Sequence, residues 1–216
     1  MRFFSFFLHT LRRMAGPCFL GAALGLAAAP AGAAERPVDP LAAPNDFLEA
    51  VANNMLDAVK ADPLALQGDT GHIADLVRRY ALPHVDMNKT TRLAAGRHWR
   101  QASAAQREAL VQAFTGTLIR TYSGAFTRVT SGTTITLLPF RGDPKADDAV
   151  VRTSISQPNS PPIGVDYRLE RTDAGWKVYD LNVEGIWLIQ NYRNQFAAEI
   201  GRSGIDGLIK ALNAKQ

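Results

Sequence analysis

The side chains that most often do chemistry are few in this chain and poorly arranged for it. Histidines stand at His9, His72, His84 and His98. The last three are 12 and 14 residues apart and form no H-x-x-x-H pair, so their spacing does not offer a metal two ligands on one helix face. The only cysteine is Cys18. There is no G-x-S-x-G motif and no glycine loop that would cradle a phosphate. The best acid–base candidates are Asp180 and Glu184, in "DLNVEGIWLIQNYRNQF" at 180–196. A carboxylate in an apolar cavity has its pKa raised and can act as a base. The alternative, which the sequence favours, is that Asp180 caps a turn or pairs with an arginine such as Arg193. No catalytic residue, metal ligand or cofactor is assigned.

That same junction carries Ile186, Trp187, Leu188, Ile189, Tyr192 and Phe196 in few residues, and the flanking elements must position them. Asn45 is a candidate cap for a helix with Leu48, Val51, Met55 and Val59 on one face, ended by Asp62-Pro63. A second helix is predicted over about 70–81, with Ile73, Leu76, Val77 and Tyr80 together and Pro83 as its stop. Residues 84–99 read as short and irregularly helical. Ser103 and Gln106 form a capping box, and Leu110, Phe114, Leu118, Tyr122 and Phe126 follow at steps of four. After Gly132 four strands are predicted, at 133–140, 148–157, 163–172 and 175–184. In "GVDYRLER" Val165, Tyr167 and Leu169 share a face while Asp166, Arg168 and Glu170 take the other. "TDAG" at 172–175 is a hairpin turn. Two helices end the chain, one with Leu188, Tyr192, Phe196 and Ile200 and one, after Ser203-Gly204, with Ile205, Leu208, Ile209 and Leu212. Helices, then an antiparallel meander, then helices make an α+β fold: a four-stranded antiparallel sheet with helices over one face.

The first 34 residues read as a secretory signal rather than as part of the fold. Arg2, Arg12 and Arg13 precede an apolar run from Met14 to Ala29, and small residues follow Pro30. Cleavage is expected after Ala33 or Ala34, releasing an exported mature chain. The run is about four residues short of a comfortable membrane span, which disfavours an uncleaved anchor. Removing it takes three of the 24 basic residues and none of the 20 acidic ones, leaving 21 against 20 and a net charge of +1. Nucleic acid is therefore not an expected partner. The mature chain has no cysteine, hence no disulfide and no thiol chemistry. Residues 35–44 are expected to be a flexible lead-in, and 45–216 one domain.

"WKVYDLNVEGIWLIQNYRNQF" at 176–196 resembles the MlaC family, periplasmic phospholipid carriers also called toluene-tolerance auxiliary proteins. The matching elements are Trp176-Lys177-Val178-Tyr179-Asp180, Val183-Glu184-Gly185 and Asn191-Tyr192-Arg193-Asn194-Gln195-Phe196. "TTRLAAGRHWRQASAAQREAL" at 90–110, "TYSGAF" at 121–126, "VDYRL" at 165–169 and "GIDGLIKAL" at 204–212 agree in order, so the likeness runs from about 45 to 213. Trp187 departs from it, since the family more usually has Ser there. The resemblance implies a curved antiparallel sheet and helices enclosing a deep apolar lipid cavity. It also implies a carrier of diacyl phospholipid between outer and inner membranes that maintains outer-membrane lipid asymmetry. Its expected partners are phospholipid, an inner-membrane ABC transporter with its ring-forming substrate-binding protein, and an outer-membrane lipoprotein–porin complex; a monomer is expected.

Laying the facing apolar stripes onto that cavity makes its expected lining Tyr80, Leu110, Phe114, Leu118, Tyr122, Phe126, Val165, Tyr167, Leu169, Val178, Val183, Ile186, Leu188, Ile189, Tyr192 and Phe196. Arg97, Arg100 and Arg193 are candidates for its mouth or for plain solvated surface. Two other classes fit less well. A cavity enzyme of the isomerase kind would need Asp180, Glu184 or Tyr122 inside the pocket. A periplasmic chaperone or adaptor would need only an apolar groove.

Overall fold

A computed structural model of the chain describes residues 35–143 and 145–214. The expected signal segment, with His9 and Cys18, lies outside the described residues. Helices come first: α1 (Pro44–Ala61), α2 (Pro63–Leu66), α3 (Thr70–Leu76), α4 (Met87–Ala95) and α5 (Ala104–Phe126). Strands β1 (Thr134–Leu137), β2 (Asp148–Ser156), β3 (Ile163–Thr172), β4 (Gly175–Val183) and β5 (Ile186–Trp187) follow, and α6 (Leu188–Asn213) closes the chain. The predicted helix over 70–81 begins as α3, passes into a π-helical turn at Val77–Ala81 and ends in a 3-10 turn at Leu82–His84. The irregular stretch after it resolves into α4 and a 3-10 turn at Gly96–Arg100.

The sheet is an antiparallel meander in the order β1-β2-β3-β4-β5. It has five strands, not four. The fifth is a two-residue return, with Asn182 opposite Trp187 and Val183 opposite Ile186. Its turn is Glu184-Gly185, at φ 51° and 90°. Positive φ at both central residues marks the turn type whose twist matches the strands it joins. Pairing Thr153–Val165, Val151–Tyr167, Tyr167–Leu181 and Leu169–Val178 puts one apolar face together. The register shifts between Arg168 and Leu169, a bulge that increases local twist.

Three apolar clusters hold the layers. Phe47, Leu48 and Val51 of α1 cover Ala149, Val151, Leu169, Trp176 and Val178 of the sheet. Phe114 of α5 meets Tyr192 and Phe196 of α6 edge-on, each at 4.8 Å between ring centres, beside Ala94 and Ala95 of α4. Met55, Val59, Ala65 and Ile73 make a smaller third cluster. Helix α4 is tied to the sheet by Lys89, which pairs with Glu170 and stands 3.8 Å from the centre of the Tyr179 ring, and by the Thr90 hydroxyl, which donates to Tyr179 O at 2.7 Å.

The capping box at α5 forms as the sequence predicts, Ser103 accepting from Gln106 N and Gln106 accepting from Ser103 N. The cap expected at Asn45 does not form. Helix α1 begins one residue earlier, with Pro44 in its first turn and no side-chain cap. Proline fits there because its missing N–H would have no helical partner anyway. The lead-in adopts neither helix nor strand before Pro44 and makes several hydrogen bonds to the domain. Asn54 exchanges two hydrogen bonds with the Arg36 backbone, at 2.9 and 2.8 Å. Trp176 donates from its backbone N to Pro40 O at 2.9 Å and from its ring to Ala42 O at 3.1 Å.

Gly175 stands where this strap crosses the β3–β4 turn. Its φ is 99°, and a Cβ there would lie 2.3 Å from Pro40 O. Gly175→Ala is therefore expected to lower stability by about 2 kcal/mol or more, from backbone strain plus displacement of the strap, measured as a shift in the urea midpoint. His84, beside Phe47 at 5.8 Å between ring centres, has its pKa lowered by burial and then by the charge of Lys177, with Glu35 opposing. The unfolded chain then binds the proton more readily than the folded one. The stability this adds is complete above the ordinary histidine pKa of 6.5 and is lost as pH falls below it. Replacing His84 by Gln is expected to flatten stability against pH in that window, read from denaturation midpoints at pH 7.5 and 5.5.

Candidate functional site

The junction at 180–196 is organised around Asp180, whose side chain has no exposed surface. One carboxylate oxygen accepts from Leu181 N and from Ile189 N, both at 3.0 Å. The other accepts from Arg168 Nη1 at 3.1 Å. Ile189 is in the first turn of α6, and Trp187, the residue before that helix, supplies no side-chain cap. Asp180 thus caps α6 from the neighbouring strand, and a negative charge is favourable at that end of a helix. The Arg168 guanidinium lies over the Trp187 ring at 3.7 Å. The partner is Arg168 rather than Arg193, which instead donates from Nε to Leu93 O at 3.1 Å.

Burial pushes the Asp180 pKa up, while the Ile189 N–H, the Arg168 charge and the Leu181 N–H pull it down. Both oxygens are engaged, so neither is directed at an open apolar space as a general base requires. Glu184 is exposed in the turn. Among the described residues, no three of His, Cys, Asp and Glu are grouped to hold a metal ion.

The expected cavity lining divides among the clusters. Leu110, Phe114, Leu188, Tyr192 and Phe196 pack with the helices, and Leu118 is half-buried against them. Leu169 and Val178 belong to the sheet cluster under α1, with Tyr167 beside them. Tyr80 and Phe126 border the third cluster. Val165 and Ile189 are buried. Tyr122, Val183 and Ile186 are exposed, at 38%, 39% and 65%. Leu181, which the sequence pattern does not single out, touches both main clusters.

The geometry of α5 explains the division. At 100° per residue, a step of four advances about 40° past a full turn. A stripe at steps of four therefore winds around the helix. Its first half, Leu110 and Phe114, faces α6, and its end, Phe126, reaches the third cluster. Tyr167 stands between the layers. Burial raises the pKa of its hydroxyl, with a hydrogen bond to Thr153 partly offsetting this.

Two open clefts are lined by other residues. One, of about 390 Å³, lies between Val85, Met87, Asn88 and Lys177. The other, of about 620 Å³, is bounded by Arg92, Arg97, Arg100, Arg107, Arg193, Leu93, Gly96 and Trp99. Neither is the deep apolar cavity that the resemblance implies. The second gathers Arg97, Arg100 and Arg193, and adds Arg92 and Arg107, which sequence spacing does not distinguish from ordinary helix-surface charges.

The family model for "MlaC protein" matches residues 49–214. The chain belongs to the MlaC family. Among MlaC relatives, it is 22% identical over 172 residues to the intermembrane phospholipid transport system binding protein MlaC of Haemophilus influenzae, covering 77% of this chain and 78% of that one. It is 27% identical over 169 residues to the toluene tolerance protein ttg2D of Pseudomonas putida, covering 76% and 75% respectively. A solved structure of a phospholipid-binding protein from Ralstonia solanacearum, in complex with a phospholipid, superposes with a TM-score of 0.76 at 36% identity, over 81% of this chain and 98% of that one. The α+β fold with an antiparallel sheet is thus that of an MlaC phospholipid-binding protein.

Asp180→Ala is expected to cost on the order of 3 kcal/mol, because two backbone N–H groups and Arg168 lose their acceptor. Asp180→Asn keeps an oxygen for Leu181 and Ile189 and is expected to cost less than half as much. Equal losses in the two variants, measured by thermal unfolding, would show that the helix cap is not what Asp180 supplies.

Proposed function

We propose that this chain is a periplasmic carrier that shuttles diacyl phospholipid between the outer and inner membranes and so maintains outer-membrane lipid asymmetry. The observation that carries the reading is the likeness to a phospholipid-binding protein solved with its lipid, which extends over 98% of that chain. Its physical basis is the energetics of transfer. Burying a methylene contributes about 0.8 kcal/mol, so two tails of roughly 15 methylenes each represent on the order of 20 kcal/mol. A carrier must match most of that with apolar contact, because tails accept no hydrogen bonds. Selectivity then falls on tail number and length, with the headgroup left near water.

In this reading the tails enter between α5, α6 and the sheet face of Val165, Tyr167 and Leu169, past the partly exposed Leu118, Tyr122, Val183 and Ile186. Residues 1–34 direct export and are removed. The docking partners are an outer-membrane lipoprotein–porin complex and an inner-membrane ABC transporter with its ring-forming substrate-binding protein. A cavity enzyme gains no support, since Asp180 is fully engaged as a cap.

Native mass spectrometry of the protein purified from a Gram-negative host is expected to show bound diacyl phospholipid, and a ligand-free mass under gentle conditions would falsify the carrier reading. Leu118 is half-buried, so Leu118→Arg is expected to fold yet to lose at least about 90% of bound lipid, because a charge in apolar surroundings costs several kcal/mol. A folded Leu118→Arg protein with normal loading moves the tail site elsewhere.

A further inference from the structure

The cleft of about 620 Å³ concentrates positive charge to a degree the chain's net charge does not suggest. Arg92 comes from α4, Arg97 and Arg100 from the 3-10 turn, Arg107 from α5 and Arg193 from α6. No Asp or Glu lines it. Among the described residues none of the five forms an ion pair, although Arg36, Arg78, Arg168 and Arg202 each do. Five like charges around one concavity repel one another and lack the counter-charges that other arginines of the chain find.

Two of the five are held in place by neutral groups. Arg107 donates from Nε to Trp99 O at 3.0 Å and from Nη2 to Arg100 O at 3.3 Å, with its guanidinium 5.6 Å from the Trp99 ring centre. Arg193 is fixed by its bond to Leu93 O. Arg92, Arg97 and Arg100 are exposed, and their side chains make no hydrogen bond or ion pair among the described residues. All the cations are arginine and none is lysine. Planar guanidinium forks match the oxygens of a phosphate group in pairs, which a lysine ammonium does not. The cleft is wide open, so a phosphate group held there keeps the rest of its molecule in solvent.

We propose that this cleft is a binding site for a phosphate ester, supplied either by a phospholipid headgroup or by a soluble phosphodiester. The inference does not depend on where acyl tails lie. The test titrates purified full-length mature protein with sn-glycero-3-phosphoglycerol by isothermal calorimetry. In parallel it measures co-sedimentation with phosphatidylcholine vesicles containing phosphatidylglycerol. Both arms are run at about 50 and about 200 mM salt, because screening must weaken a guanidinium–phosphate contact.

Arg97→Glu/Arg100→Glu is expected to weaken binding at least about tenfold, and Arg97→Lys/Arg100→Lys to weaken it by less, about threefold at low salt, because the charge remains while the guanidinium fork is lost. Native mass spectrometry of the same variants is expected to show unchanged lipid loading, which separates this site from the tail site. Binding of the soluble diester that the Glu pair abolishes supports a free ligand. Binding only to vesicles, again abolished by the Glu pair, supports a headgroup at a bilayer surface. Absence of both, insensitivity to the Glu pair, or binding of poly-aspartate while neither phosphate form binds would overturn the proposal.

Discussion

One buried carboxylate sets the relation between the sheet and the last helix. Asp180 takes two backbone N–H groups with one oxygen and a guanidinium with the other. Because one donor belongs to β4 and another to α6, the same atom ties the strand to the start of the helix. Its desolvation is offset only while all three donors are in place, so the junction is stable in one arrangement. Arg168 is itself steadied by the Trp187 ring. Here the ring supports the cation, and the cap comes from across the hairpin.

With α6 fixed at that end, the two layers are free to differ in how tightly they close. Phe114, Tyr192 and Phe196 lock α5 to α6, and α1 seals one end of the sheet. Away from these contacts, apolar side chains are only partly covered, as Tyr122, Val183 and Ile186 show.

Much of this was legible in the residue order, for identifiable reasons. The capping box at Ser103 is a local signal and needs no tertiary information. The four long strands announce themselves through alternation and turn residues. The fifth strand is two residues long, below the length at which periodicity exists. Arg168 as the partner of Asp180 depends on the hairpin register and on a bulge at Leu169 that no local pattern marks. The Asn45 cap fails because Pro44, one residue earlier, starts the helix. The four-residue repeat of α5 reads as one face, whereas it winds around the helix, with Leu110 and Phe114 packed beside α6 and Phe126 at the third cluster. The arginine cleft joins residues 92–107 to Arg193 of α6, so packing alone brings the last of its charges to the others.

The winding stripe makes α5 a shared beam. Near Phe114 it is held by aromatic rings of α6, and at Phe126 it meets the third cluster, built on α1, α2 and α3. One rod thus belongs to two cores, and because packed interiors transmit strain, a void opened in either is felt along the same helix.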